Sequence, residues 1–360
     1  MITNALSEGG VESLLLDLCS VLVQKYAYDV KILVLNRKAI GLKNKFEKLG
    51  IEVIVGKYRH VYNPLNIFII KKYFCNVDLV HVNLYPCQFF VALVKCLYHS
   101  LKAIPLVTTE HSTFNHRRKY AMFRLLDNFM YSRYDKIVCI SKQTELKLRQ
   151  WLLNKNMKNI CTINNGVNIE KFVTAKNSLG KYVNILNGAD YIVMVGRLEH
   201  PKDPMTIIQA MQYLPISIHL LLVGTGSYLN RCKILAEKYR VYDRVHFLGN
   251  SQNVAEILKG CRLGILSTEW EGFGLVAVEY MAAGIPVIAS DVDGLREVVG
   301  EKSLLFTARD AKGLSDKILA LLSDDVSYQI ACNYCMNRSK DFSVEKMVAN
   351  YVSVYVSMFK

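Results

Sequence analysis

Residues 266–298 constrain this chain more than any other stretch. An apolar run, Cys261 to Leu266, ends in Ser267, Thr268 and Glu269, and Glu271-Gly-Phe-Gly follows. Next comes an apolar-periodic segment carrying Glu279. Gly284 stops it, and Ile285-Pro-Val-Ile-Ala289 restarts a strand. Strand, glycine loop, helix, glycine stop and strand make a parallel α/β unit. Glycines ahead of a helix let a ligand approach the backbone closely. The free N–H groups of the first helical turn then face an anion. The pattern predicts a phosphate site.

Glu271 and Glu279 stand eight residues apart. In one continuous helix that spacing would advance about 800° and leave the side chains about 80° apart. The glycine loop removes the constraint and lets both carboxylates line one cleft. A carboxylate can accept from two vicinal hydroxyls at once, so two of them beside a phosphate cradle suit a sugar and a ribose. A pair of glutamates at arbitrary spacing is more often solvated; here the neighbouring residues argue otherwise.

Glu271-Gly-Phe-Gly-Leu, the seven residues between the glutamates, Met281-Ala-Ala-Gly-Ile-Pro-Val-Ile-Ala-Ser and Gly294-Leu-Arg-Glu297 resemble glycosyltransferase family 4. The resemblance implies a retaining, nucleotide-sugar-dependent enzyme of GT-B fold, with two Rossmann-like doubly wound domains facing a cleft. It spans nearly the whole chain and is strongest from 191 to 300. The domains it implies are residues 1–166 on the acceptor side and 167–342 on the nucleotide-sugar side. A C-terminal helix at 343–360 is expected to pack back on the first domain.

The 360 residues suit two ordinary domains, and 51% hydrophobic with 21% charged residues describes a globular chain. No run of apolar residues is long enough for a transmembrane helix, and MITNALSEGG does not read as a signal peptide. Ten cysteines follow no disulfide framework, which points to a reducing cytoplasm; Cys332 and Cys335 form a lone C-x-x-C that reads as ordinary thiols. The charge is lopsided. Residues 1–170 carry +12 and residues 171–360 carry +2 of the net +14. A basic half suggests an anionic partner: nucleic acid, a membrane surface or a phosphorylated acceptor.

Along the chain, strands and helices alternate in doubly wound α/β order, with ligands expected at the C-terminal strand ends. Met1 to Ala5 is a stub of strand, short for a central position, so the natural start is expected a few residues upstream. Ser7-Glu8-Gly9-Gly10 is a glycine loop, and Val11 to Tyr26 a helix with Val11, Leu14, Leu15, Leu18 and Leu22 on one face. Helices are predicted over 42–49, from Pro64 through Phe74, over 88–98 and over 120–131, and Ser141 caps another. Strand Leu106–Thr109 ends in Glu110-His111. Asn164-Asn165-Gly166-Val167-Asn168 is turn-rich and marks the domain junction. The second domain opens with strand Tyr191–Val195 and then Gly196-Arg197-Leu198-Glu199-His200-Pro201-Lys202. After 300, helices are predicted at 312–322, 326–335 and 344–359.

The resemblance assigns roles residue by residue. Gly9 and Gly10 form the loop across the cleft from the donor phosphates, and His111 lies beside the donor sugar. Arg197 and Lys202 match the family's cation pair and stabilise charge on the departing diphosphate, Arg197 as a fork and Lys202 as a point charge. Backbone groups of Phe273 and Gly274 meet the sugar, and those of Leu275 and Val276 meet phosphate. Glu279 holds the ribose and Glu271 the donor ring. No Asp-x-Asp signature accompanies the site, so no metal or other cofactor is expected. The donor is taken as a UDP-sugar because UDP is the commoner donor in such families, not from any residue. The acceptor is expected to be a glycan or a polyprenyl-diphosphate-linked glycan of cell-surface polysaccharide synthesis. The enzyme would then be cytoplasmic and peripheral on the inner membrane face. Two basic stretches motivate that docking. One holds Lys38, Lys43, Lys45 and Lys48. The other is Arg117-Arg118-Lys119 with Arg124, flanked by Phe114, Tyr120, Met122, Phe123, Leu126, Phe129 and Met130.

Rival readings meet specific obstacles. A nicotinamide dehydrogenase needs G-x-G-x-x-G after the first strand. Ser7-Glu8-Gly9-Gly10 lacks it, and Gly224-Thr225-Gly226 has no third glycine. A nucleic-acid binder would use the basic half, but no known module or spaced stacking aromatics accompany it. A sugar phosphorylase or a nucleotide-sugar epimerase would share the fold, and release of nucleoside diphosphate only with acceptor separates them from a transferase.

Overall fold

The computed structural model describes residues 1–7, 9–74, 76–113, 115–153 and 157–359. They form two compact units: residues 1–166 with 344–360, and residues 167–343.

The first unit holds seven strands: β1 (Ile2–Thr3), β2 (Lys31–Val34), β3 (Glu52–Val55), β4 (Val80–Asn83), β5 (Leu106–Glu110), β6 (Lys136–Cys139) and β7 (Ile160–Thr162). Every pairing is parallel, in the order β3-β2-β1-β4-β5-β6-β7. The inner strands are buried on both faces, which is why Lys136-Ile-Val-Cys139 lacks apolar–polar alternation and why the polar His81 and Asn83 of β4 are buried along with its valines. The first helix, Gly10–Tyr26, buries Leu14, Leu15, Leu18, Cys19 and Leu22, the stripe its 3.6-residue period sets. The last helix, Val344–Val356, packs on that first helix, so the C-terminal segment belongs to this unit. Buried hydroxyls pin it to the sheet. Tyr355 Oη lies 2.8 Å from His81 Nδ1, and Tyr351 Oη lies 3.0 Å from Thr109 Oγ1.

The second unit holds β8 (Asp190–Val195), β9 (Ile218–Val223), β10 (Val245–Gly249), β11 (Leu263–Leu266), β12 (Val287–Ser290) and β13 (Leu305–Phe306), all parallel, in the order β10-β9-β8-β11-β12-β13. Chain order reverses direction at β8, between β9 and β11, and a doubly wound sheet binds ligands in the crevice beyond such a point. The glutamate helix, Leu275–Ala283, follows β11 directly.

Several predicted helix ends move, each for a local reason. The helix expected from Pro64 starts at Asn66, because Asn63 holds the Pro64-Leu65 turn by accepting the Leu65 N–H at 2.9 Å. The one expected from Tyr120 starts at Met122, after a 3₁₀ turn over His116–Lys119. The basic helix of 42–49 shrinks to Lys43–Glu47, and the last ends at Val356 in a tightened turn, Met358 N to Tyr355 O at 3.1 Å.

Candidate active site

In the second unit three loops at C-terminal strand ends are locked together. The loop after β8 leaves at Gly196 and returns to β11, where Lys202 bridges Thr268 and Asp203 N bonds Ser267 O at 3.0 Å. Leu198 N bonds Thr225 O at 2.9 Å, which ties this loop to the one after β9. Gly224 is what makes that fit. Its φ is +143°, and a Cβ there would lie 1.9 Å from Gly196 O, a place no side chain can occupy. The Gly224-Thr225-Gly226 run is thus a packing device for the Arg197 loop.

The glycine loop itself runs from Ser267 to Gly274. Thr268 N–H bonds Ser290 Oγ at 2.9 Å, and Thr268 Oγ1 lies 3.1 Å from Pro201 O and 2.9 Å from Trp270 O. Gly294, at φ +86°, presses on its far side. A Cβ there would stand 2.5 Å from Glu271 O, so the loop after β12 can carry only glycine at that contact. Gly274 then caps the glutamate helix, whose first turn offers the N–H groups of Leu275 and Val276. Glu279 falls on the second turn. Phe273 is buried edge-on against Phe342, ring centroids 5.4 Å apart. It fixes the loop from beneath.

Lys202 and Glu271 meet: Lys202 Nζ donates to Glu271 Oε2 in a partly buried ion pair. Glu271 Cγ would be 3.5 Å from a Cβ on Gly274, so the pair stands at the helix N-terminus. Arg197 does not join it. Its side chain is 76% exposed and bonds Glu199 at 2.6 Å. Beside them Glu269 contacts His200 at 3.6 Å and Arg309 at 2.6 Å, and Trp270 packs edge-on to His200 at 4.2 Å.

In the first unit Gly9 is the N-cap of the first helix and Gly10 its first residue; Ser7 Oγ donates to Glu12 Oε1 at 3.1 Å. Glu8 lies outside the described residues. His111 follows β5, and its Nε2 lies 2.9 Å from Asn83 Oδ1 at the end of β4. His111 Nδ1 and Asn83 Nδ2 are buried with no hydrogen-bond partner among the described residues, and both residues line a cavity of about 10 Å³ together with Val11, Met347 and Tyr351. Burial pushes the imidazole down to about 4, so it is neutral near pH 7.

The basic stretch expected to face a membrane is largely turned inward. Arg117 pairs with buried Asp127 at 3.1 Å and Arg118 with buried Glu110 at 3.5 Å; the two arginine side chains are only 11% and 10% exposed. Arg117 also lies 3.5 Å over the Tyr85 ring, Tyr131 Oη donates to Glu110, and Trp151 Nε1 donates to Asp127 at 2.9 Å. Two arginines next to two buried carboxylates are neutralised where they stand. Met130 is in the core, whereas Tyr120 and Met122 are exposed, as is Leu125. Phe114 lies outside the described residues.

Two family models match this chain end to end along most of its length. "Glycosyltransferase Family 4" matches residues 8–171 and "Glycosyl transferases group 1" matches residues 181–341. The chain belongs to the GT-B glycosyltransferases. Among solved structures, Anabaena HepE in complex with UDP and glucose is similar at TM-score 0.86 and 19% identity, over 99% of each chain. The N-acetyl-alpha-D-glucosaminyl L-malate synthase of Bacillus anthracis is 27% identical over 79% of this chain and 76% of its own. The UDP-Gal:alpha-D-GlcNAc-diphosphoundecaprenol alpha-1,3-galactosyltransferase of Escherichia coli is 24% identical over 74% and 70%.

Sequence reading of this glycosyltransferase missed the supporting residues: Asn83, which bonds His111, Thr268, which pairs with Lys202, and Ser290, which holds Thr268. Their one signal was position, a small polar residue where an apolar strand ends.

Proposed function

We propose that this glycosyltransferase transfers a sugar from a UDP-sugar to a glycan or lipid-linked acceptor, with retention at the anomeric carbon. The observation that carries the reading is Lys202, held by Glu271 at the free first turn of the glutamate helix. A fixed cation beside exposed N–H groups suits a diphosphate. UDP is favoured by HepE, solved with UDP and glucose, and by the Escherichia coli relative, whose name prints a UDP-sugar and a diphosphoundecaprenol acceptor.

The acceptor oxygen forms a bond to the anomeric carbon on the face the leaving group departs from. The bond from that carbon to the β-phosphate oxygen breaks, and the acceptor's proton passes to the departing phosphate. The chain acts by positioning and by charge. Lys202, Arg197 and the N–H groups of Leu275 and Val276 offset the growing negative charge. Glu279 accepts from the ribose hydroxyls, and backbone groups of Phe273 and Gly274 hold the sugar with Glu271. His111, neutral, offers a hydrogen bond to the donor sugar, and Gly9 and Gly10 let the first helix's N-terminus approach phosphate. These charges replace a metal in the proposal. The exposed Tyr120, Met122 and Leu125 supply an apolar surface for a lipid-linked acceptor's membrane.

A thermal-shift panel of UDP, GDP, ADP, dTDP and CMP tests the donor. A nucleotide at 100 times its Kd stabilises by about 2.7 kcal/mol, and UDP should give the largest shift. A panel without any shift overturns the reading. Turnover should persist in excess chelator; loss that magnesium or manganese restores would require a metal.

A further inference from the structure

The two central strands of the second sheet do not stay paired equally far. β8 pairs with β9 through Val195↔Val223, but with β11 only to Val193↔Gly264. Beyond that point a side chain takes the place of the ladder. Tyr280, on the glutamate helix, accepts the Val195 N–H at 2.7 Å and donates its O–H to Ile265 O at 3.3 Å. Its ring is fully buried. It enters because residue 264 is glycine: a Cβ there would lie 2.3 Å from the Tyr280 ring. The phenol therefore sits between the strands on either side of the crevice where a doubly wound sheet binds its ligand.

We propose that Tyr280 is a positioning residue for the transfer reaction, its hydroxyl fixing the foot of the Arg197–Lys202 loop to the helix that carries Glu279. This rests on the functional reading above. Tyr280 adjoins Glu279 in sequence, and Val195 immediately precedes Gly196-Arg197. The loop's other foot is held separately, by Lys202 on Thr268 and Asp203 on Ser267. One hydroxyl thus ties the cation loop to the phosphate and ribose helix at the near foot. A buried amide needs a partner, and without the hydroxyl the Val195 N–H has no alternative in the β11 ladder. The loop's start then keeps its bond to β9, Gly196 N to Val223 O at 2.9 Å, but loses its tie to the helix, which keeps its own fold. Nucleotide contacts made by the helix survive, and charge placed on the leaving diphosphate does not.

Two readouts test this. Hydrogen exchange needs no substrate. In the unmodified protein the Val195 amide should be protected like the helix at 275–283. Tyr280→Phe should speed exchange over 195–203 while leaving 275–283 unchanged, and Gly264→Ala, which displaces the ring but keeps the hydroxyl, should also speed exchange over 195–203. Kinetics then test the consequence. In Tyr280→Phe, kcat should fall on the order of tenfold, with donor KM and UDP Kd within about twofold. Unchanged exchange at 195–203 in both variants overturns the tether. Altered exchange with unchanged kcat overturns its role in the reaction. A loss confined to KM overturns it too, since that is what a displaced helix would give. If no nucleotide binds the unmodified protein, the functional reading fails, and the exchange data still decide the tether.

Discussion

Lys202 and Glu271 form one ion pair, and that changes what each substitution should do. Removing Lys202 leaves Glu271 without its counter-charge at the phosphate end of the helix, so Lys202→Ala should depress both UDP affinity and kcat. Arg197 is exposed and, among the described residues, paired to Glu199, so Arg197→Ala should lower kcat with UDP affinity close to the parent's. Glu279→Gln replaces a charged acceptor by a neutral one. Charge-assisted hydrogen bonds contribute roughly 1.5–3 kcal/mol, so UDP binding should weaken on the order of 10- to 100-fold. Glu271→Gln should keep nucleotide affinity and lose turnover. Normal UDP binding by Glu279→Gln, measured by calorimetry, would remove the ribose assignment. The glutamates, glycines and cations proposed for the site could be picked out in sequence because each is the residue type such chemistry needs, in or just after a loop that follows a strand. Their supports could not. Whether Tyr280 reaches between β8 and β11 depends on Gly264, sixteen residues earlier, and no local pattern links the two.

At the scale of elements, strand and helix order could be read because parallel strands buried on both faces leave continuous apolar runs. Helix ends could not, because they depend on turn bonds such as Asn63 to Leu65 N. The last helix is expected on the first domain, but its contacts with β4 and β5 through His81 and Thr109 have no local sequence signal, and they carry a pH dependence. Burial holds His81 down to about 3 and His111 to about 4, against an ordinary value near 6.5. Both are neutral when folded and take up protons when unfolded, so their stabilising effect is full above pH 6.5 and is lost as pH falls through about 4 for His111 and about 3 for His81. Urea midpoints for the first unit should therefore drop between pH 7.5 and pH 5. His81→Gln should flatten that slope while lowering stability at pH 7.5, because Tyr355 and Thr109 both bond its ring. An identical slope in the variant would show that other groups set the acid sensitivity.

For the whole molecule, the charge map and the structure pull in different directions. Residues 1–170 carry +12, yet Arg117 and Arg118 are committed to Asp127 and Glu110 inside the fold. Among the described residues no helix is long and apolar enough to cross a membrane. One apolar surface of the first unit is the outer side of the 122–131 helix. Met122 is 75% exposed and Leu125 69%, with Tyr120 just ahead of them. Apolar side chains of this kind enter the headgroup boundary, and each nearby Lys or Arg adds about 1 kcal/mol on an anionic surface, screened within a Debye length. Sedimentation with vesicles separates the contributions. Binding should require anionic lipid and weaken with added salt. Met122→Asp with Leu125→Asp should abolish it while the melting temperature stays near the parent's, since both side chains already face water. Arg117→Glu should behave differently. It leaves Asp127 buried beside a second negative charge, and breaking such a pair costs roughly 3–5 kcal/mol, so this variant should lose stability first. Equal recovery on neutral and anionic vesicles, or binding unaffected by the two aspartates, would leave the apolar face without a membrane role and favour a soluble acceptor.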